Sequence, residues 1–521
     1  MLMNKIHPSF FTGMLVAFGI VLATTVYFPT ERFFENGKYQ KINTLLQFIE
    51  QDYVDKVDTE KILEDVVSEI VAKLDPHSVY FSKEDFLVNQ ENMQGNFEGI
   101  GVQFFMHNDS IAVTKVLKGG PSEKAGILSG DRILIANNDT LYNKKLSSKN
   151  VVKILKGPAD TTVDLRIYRK QTNAFLDIPI VRNKVPISSV EVGYMLTEDM
   201  GYLKLDRFAM TSYQEFKDKL TQLQNQGAKK LVLDVRQNGG GYIHIANQVI
   251  DEFLEADKLI VFTENKKGKI ENSYATNKGS FEDGKVYVLI DEGSASASEI
   301  LAGALQDNDK GVIVGRRSFG KGLVQQQRNL GDGSAVRLTI ARYFTPTGRS
   351  IQKPYRMDDN SNYALDLETR MTNGELLSKD SIKVVDSLRY TTPKGKVVYG
   401  GGGIVPDVFV PLDTTLYLEN YHFKNLNDFV FGYVDSNRKE LGSLSLEALG
   451  DRVDLDKTVL EGYFEYIQLK KELPKEKTKQ LKHYLKMLVV AQLFDQNATA
   501  KINASKDKMI LKVLELEKEK D

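Results

Sequence analysis

The chain has 521 residues, 69 Lys plus Arg against 70 Asp plus Glu, a formal charge of −1 and no cysteine. Such a length holds about three domains of 100–200 residues, and a 41% hydrophobic content supports ordinary cores. The even charge excludes a whole-chain nucleic-acid binder, and the missing cysteine excludes disulfides, thiolate nucleophiles and Cys-ligated zinc or iron–sulfur centres. His7, His77, His107, His244, His422 and His483 stand far apart with no H-E-x-x-H pattern, so no metal and no cofactor is expected.

At the N-terminus, Phe10 to Phe28 runs for 19 residues without a charge. A helix of that length just spans a bilayer core of about 30 Å. Ala23-Thr24-Thr25 makes a poor cleavage site. The expectation is therefore an uncleaved, single-pass inner-membrane anchor with the catalytic part in the periplasm, a cleaved and soluble periplasmic form being the alternative. Residues 40–72 repeat apolar positions at three and four, as amphipathic helices do, and Asp75-Pro76 ends the run. From 97 to about 183, short β-like runs separated by Gly, Pro and Asn turns, with a helix near 148–155, predict a small, mostly β module.

From 200 onward, apolar runs alternate with helical stretches: GYLKL (201–205), KLVLDV (230–235), VYVLI (286–290) and VIV (312–314), with helices around 211–226, 242–255 and 296–307. Continuous apolar strands with helices between them predict an α/β sheet covered on both faces. The segment 357–398 is long and polar and reads as an insertion; from about 416 the chain is helical and rich in Lys and Glu.

Three segments could carry chemistry. In 286–307, Ser296 sits near a helix N-terminus between Ala295 and Ala297, where free N–H groups suit a developing oxyanion. A plain N-cap serine fits the same position. The second segment, Val235–Tyr242, ends a strand with Gly239-Gly240-Gly241, which lets backbone N–H groups approach a ligand. The third, 312–327, imitates a phosphate loop at Gly315 and Gly320-Lys321, but Gly322 stands where Mg²⁺ binding needs Ser or Thr. Lys321 is then a solvated lysine or a general base; the latter needs its pKa lowered from about 10.4 by roughly 3 pH units, which burial could supply. Gln325, four residues on, shares its face in an extended segment and could orient the amine. His244 offers a rival Ser-His pairing, with a packed helix residue preferred, and S-x-x-K recurs without context at Ser350–Lys353 and Ser505–Lys508.

Together these segments resemble the carboxyl-terminal processing peptidases, tail-specific serine proteases with a PDZ domain. The resemblance lies in Asp234–Gly241, in Gly293–Ile300 (GSASASEI) and in Phe319–Gln325 (FGKGLVQ), with Lys321 falling 25 residues after Ser296 as in that family. It implies Ser296 as nucleophile, Lys321 as base, Gln325 as its support, and the N–H groups of Gly240 and Ala297 as oxyanion donors. It also implies a PDZ carboxylate-binding loop at Gly99, Ile100, Gly101 and Val102, with GGPSEKAGILSGDRILIAN (119–137) following.

The fold implied is a crotonase/ClpP-like α/β protease core with an inserted, mostly β PDZ domain and flanking helical segments. Its expected parts are an anchor at 10–28, a helical region at 31–90, the PDZ domain at 91–184, the peptidase core at 185–415 and a helical extension at 416–521. The expected partners are protein or peptide substrates with accessible C-terminal tails, the inner membrane, and a second copy or an adaptor on the C-terminal helices, with no nucleic acid. A catalytically silent PDZ adaptor on a peptidase-like body is the alternative reading.

Overall fold

The computed structural model describes residues 37–107, 109–356, 361–414, 420–455, 457–469 and 473–519. The chain forms two compact units, one ending at Val71 and the other running from Ala72 to the C-terminus. Helix Gly37–Asp52 and helix Thr59–Ala72, whose last residue begins the second unit, lie where the period of three and four predicts them, with Leu45 and Phe48 exposed.

The expected anchor Phe10–Phe28 lies outside the described residues. Among those residues no helix is long and apolar enough to cross a membrane. The 22-residue helix Asn420–Leu441 has the length but carries Asp428, Asp435, Arg438, Lys439 and Glu440, too many charges for hydrocarbon. The expectation of a single-pass inner-membrane anchor is corrected on this finding and is not carried further.

The second unit is built on a six-stranded sheet in the order Val192–Met195, Met200–Lys204, Lys230–Asp234, Lys285–Ile290, Gly311–Gly315, Val408–Phe409, parallel from the second strand onward. Its strands read as unbroken apolar runs because each face has its own cover. Leu231, Leu233, Val286, Val288 and Ile290 share a core with helices Ser212–Asn225, Ile243–Asp251 and Ala297–Asp307. Val232, Tyr287 and Leu289, the alternate positions, pack instead with Met509, Ile510 and Val513 of the last helix, Lys508–Lys518. The period of two thus sends successive side chains to opposite cores.

A second sheet joins Val79–Phe81, Ala335–Phe344, Leu259–Asn265 and Ile270–Tyr274, with Leu323–Asn329 paired to Ala335–Phe344. In sequence, between Val79–Phe81 of this sheet and Val192–Met195 of the first, lies a mostly β module: strands Val102–His107, Ser110–Val116, Arg132–Ala136, Thr162–Arg169 and Ala174–Val181 around one core, with helix Ser148–Leu155. Its two ends are fastened by the antiparallel pair Asn96–Gly99 and Asn183–Pro186.

The C-terminal helices have a core of their own and also reach the β module. Phe431 meets Phe105 and His107 at ring-centroid distances of 5.4 and 5.0 Å, and Asp435 pairs with Arg132 at 2.9 Å.

Candidate active site

Strands Lys230–Asp234 and Lys285–Ile290 are parallel neighbours, so the loops after them emerge at one edge of the sheet, the usual place for a site in an open α/β sheet. Asp291 laces the two loops together, accepting from Gln237 N at 2.9 Å, Gln237 Nε2 at 2.7 Å and Gly293 N at 3.0 Å. The buried Asn238 does the same from the other side: its carbonyl accepts from Ala295 N at 3.0 Å and Ser298 Oγ at 2.8 Å.

Ser296 caps helix Ala297–Asp307 with φ at 56°. A non-glycine residue held there stores about 1–3 kcal/mol, the strained strand-to-helix turn on which a nucleophile is often presented. Gly240 lies against it. With φ at +103°, a Cβ there would stand 2.9 Å from Ser296 Cβ and 3.0 Å from Ala297 N, so only glycine fits. Gly240 and Ala297 therefore both flank the serine, and the Gly240 N–H donates to Asn238 Oδ1 at 2.9 Å.

Glu299, fully buried, joins the serine to the lysine. Its Oε2 accepts from Ser296 N at 2.9 Å and Lys321 N at 2.8 Å; its Oε1 accepts from Gly320 N at 2.7 Å and Ser318 Oγ at 2.5 Å. Burial pushes this carboxyl up to about 7, against four donors that each favour the carboxylate. The Tyr343 hydroxyl adds a second tie, 2.7 Å from the Lys321 carbonyl and 3.1 Å from that of Ser296.

Lys321 Nζ donates to Gln325 Oε1 at 2.8 Å, and among the described residues no hydrogen bond joins it to Ser296 Oγ. Burial pushes the amine down to about 8; Arg337 adds to this, while Glu299 and Asp75 oppose it. Gln325 sits where the pairing of Leu323–Asn329 with its neighbour shifts register, the irregularity by which a strand re-aims a side chain. Its Nε2 donates to the His77 carbonyl. The His77 ring lies edge-on to Phe319 and 2.5 Å through Nε2 from Tyr363 OH; burial, helped by Lys321, pushes its imidazole down to about 4.

The insertion closes over the lysine loop. Arg370 donates to the carbonyls of Ser318 at 3.1 Å and Arg317 at 2.5 Å, and Glu375 pairs with Arg317 through two bonds of 2.7 Å.

The rival candidates fall elsewhere. His244 is exposed beside the Tyr242 ring rather than packed. Lys353 pairs with Asp366 at 3.0 Å and Lys508 with Asp413 at 2.9 Å. Among the described residues no group of three or more His, Asp or Glu converges as metal ligands would. In the β module, Gly101 takes φ of +80°, and Ile100, Gly101 and Val102 line a 110 Å³ cavity with Phe97, Phe104 and Leu155.

The sequence compares with known proteins along most of its length. The family model Peptidase family S41 matches residues 199–359, and the PDZ domain model matches 99–180. A probable CtpA-like serine protease of Staphylococcus aureus (strain COL) is 30% identical over 470 residues, covering 87% of this chain and 83% of its own. The chain belongs to peptidase family S41. A carboxy-terminal-processing protease of Bartonella bacilliformis is 34% identical over 345 residues, covering 64% of this chain and 78% of its own. The photosystem II D1 C-terminal processing protease is similar at 24% identity and a TM-score of 0.36, covering 72% of this chain and 87% of that one; nothing further rests on that likeness. This S41 chain is thus a carboxyl-terminal processing serine peptidase with a PDZ domain, and the silent-adaptor reading is set aside.

Sequence reasoning did not reach Glu299, Tyr343, the turn at 75–78 or the Arg370–Glu375 clamp. Only Glu299 carries a signal, since Ser296-x-x-Glu299 has capping-box spacing.

Proposed function

We propose that Ser296 is the nucleophile of this peptidase and Lys321 its general base, with Gln325 orienting the amine. The observation that carries this reading is a half-buried amine, lowered to about 8, on a loop fastened to the serine through Glu299 and Tyr343. Neutral Lys321 takes the Ser296 proton as Oγ attacks the scissile carbonyl. The N–H groups of Ala297 and Gly240 receive the oxyanion, Gly240 sharing its hydrogen with Asn238 Oδ1. The lysine then protonates the leaving nitrogen as the C–N bond breaks, and a water deprotonated by the amine hydrolyses the acyl-enzyme. The amine reaches Oγ as substrate fills the site, a closure that resting enzymes commonly leave incomplete.

By the same proposal the PDZ loop Gly99–Val102 binds a terminal carboxylate through its N–H groups. The tail adds as a strand along Val102–His107, an edge strand of its sheet, and its last side chain enters the 110 Å³ cavity. The division into a helical region (31–90), PDZ domain (91–184), peptidase core (185–415) and helical extension (416–521) belongs to this reading.

The test is digestion of a protein bearing a flexible tail. Ser296→Ala and Lys321→Ala should each lose at least about 10³-fold in kcat, and amidating the tail should lower kcat/KM for the wild type. Equal cleavage by all three enzymes sinks the Ser–Lys assignment; indifference to amidation sinks the PDZ assignment alone.

A further inference from the structure

Gln325 touches the base with the correct end of its amide only because something holds the other end. A neutral lysine amine has two N–H donors and one lone pair, and the lone pair must stay open to receive the serine proton. An amide that offers its carbonyl oxygen takes one of the N–H groups and leaves the lone pair free. Reversed, the same amide would donate into the lone pair and block the base. The two ends of a glutamine are nearly identical in shape, so packing alone does not choose between them.

The choice is made 248 residues away in sequence, where Gln325 Nε2 donates to the His77 carbonyl. A carbonyl oxygen can only accept, so it admits the NH₂ end and turns Oε1 toward Lys321. The carbonyl is itself held by a tight turn. The nearly buried Asp75 accepts from His77 N at 2.9 Å and Ser78 N at 2.8 Å through Oδ1, and from Ser78 Oγ at 2.5 Å through Oδ2. Ser78 Oγ in turn accepts from Thr339 N at 3.2 Å, which fastens the turn to the strand paired with the one bearing Gln325.

We propose that Asp75 and Ser78 are positioning residues for the general base: their turn presents the His77 carbonyl to Gln325 and thereby selects the amide orientation that leaves the Lys321 lone pair available. The proposal rests on Lys321 being the base and adds residues that position it through Gln325, apart from the direct pull of the Asp75 charge on the amine. It also gives the segment just ahead of the PDZ domain a part in catalysis without any contact with substrate.

The experiment is a double-mutant cycle on the full chain. Asp75→Asn keeps the volume and the Oδ1 acceptor while weakening the turn; Ser78→Ala removes the tie to Thr339. Each should lower kcat about tenfold with KM for a tailed peptide unchanged, and thermal unfolding reports that the variants remain folded. In a Gln325→Ala background, already slowed, the same substitutions, compared at a pH where the amine is already neutral and the Asp75 charge no longer sets its protonation, should cost less than twofold more, because the residue through which they position the base is gone. Losses that multiply in full in that background, losses confined to KM, or no loss at all overturn the proposal. Lys321→Ala, run alongside, separates failures: if it still cleaves at the wild-type rate, the base assignment itself has fallen.

Discussion

Ser296 and Lys321 stand at the same edge of the sheet but are held there by different means. The serine belongs to a continuous stretch of chain, a buried strand, a short turn and a helix, and its neighbours Asp291, Asn238 and Gly240 come from that turn and from the loop of the adjacent strand. The lysine sits on a loop whose holders come from everywhere else: Glu299 from the nucleophile's helix, Tyr343 from the second sheet, Arg370 from the insertion and the His77 carbonyl from ahead of the PDZ domain. On the proposed assignment, such a site keeps its nucleophile by local geometry and its base by tertiary contact. Damage far away in sequence should therefore fall on the base, and damage to Glu299 on both.

The sharpest way to break the comparison is to alter the base alone. Lys321→Arg preserves charge and reach but leaves a group that stays protonated, so kcat should fall at least about 10³-fold while Ser296 keeps its place. In the wild type, kcat/KM should rise through a pH near 8, since the amine is neutral only above that value. Arg337, Glu299, Asp75 and His77 all face this amine, and removing the Asp75 charge, which holds the proton on, should move the rise to lower pH. A profile flat from pH 6 to 10, or an active arginine variant, would mean that some other group takes the proton.

Glu299→Gln comes next, because it strikes both sides. Its carboxylate accepts three backbone N–H groups and one hydroxyl. Gln turns an NH₂ toward donors on one side, leaving buried groups unsatisfied at about 1–3 kcal/mol each. The expected outcome is a loss of about 10²-fold in kcat together with a clearly lower Tm. Activity lost with Tm unchanged would mean that Glu299 touches the chemistry rather than the frame.

What could be read from the sequence follows the same divide. The core strands and their helices betray themselves by apolar runs and spacing, and the helix expected near 148–155 is Ser148–Leu155. Ser296, Lys321 and Gln325 could be picked out because each lies on a short motif that resembles a known family's, and the fold brings the three into one region. The turn at 75–78 reaches Gln325 through a main-chain carbonyl, which leaves no residue-type signature, and the Arg370 side chain donates to two further main-chain carbonyls, whose residue types mark them no better. The polar composition of 357–398 reads as an insertion, while its buried Arg370 and Glu375 become visible only once the chain is folded.

Arg370→Met sharpens the comparison at smaller scale. Methionine keeps most of the apolar volume, and Glu375 keeps its pair with Arg317, so the fold should persist while the carbonyls of Arg317 and Ser318 lose their donor. A loop freed at its start should hold Lys321 less well: kcat falls about tenfold, and tail binding to the isolated step, read by KM, stays put. Wild-type kcat would demote the insertion to packing.

The smallest effect is expected on the far side of the core sheet. Glu517, on the last helix, pairs with Lys230 at 2.7 Å and also meets Lys285 and Tyr287. Burial works against its charge, but these partners outweigh it and pull the carboxyl down to about 2. A carboxyl lowered in the folded chain contributes stability above its ordinary value of about 4.3 and loses it as pH falls toward 2. Glu517→Gln should therefore lower Tm by about 2 °C at pH 7, flatten the acid limb of the stability curve, and leave kcat and its pH profile untouched. A shift in the catalytic profile would show that the back of the sheet reaches the lysine after all, and the division between locally held and remotely held halves would have to include the C-terminal helix among the base's supports.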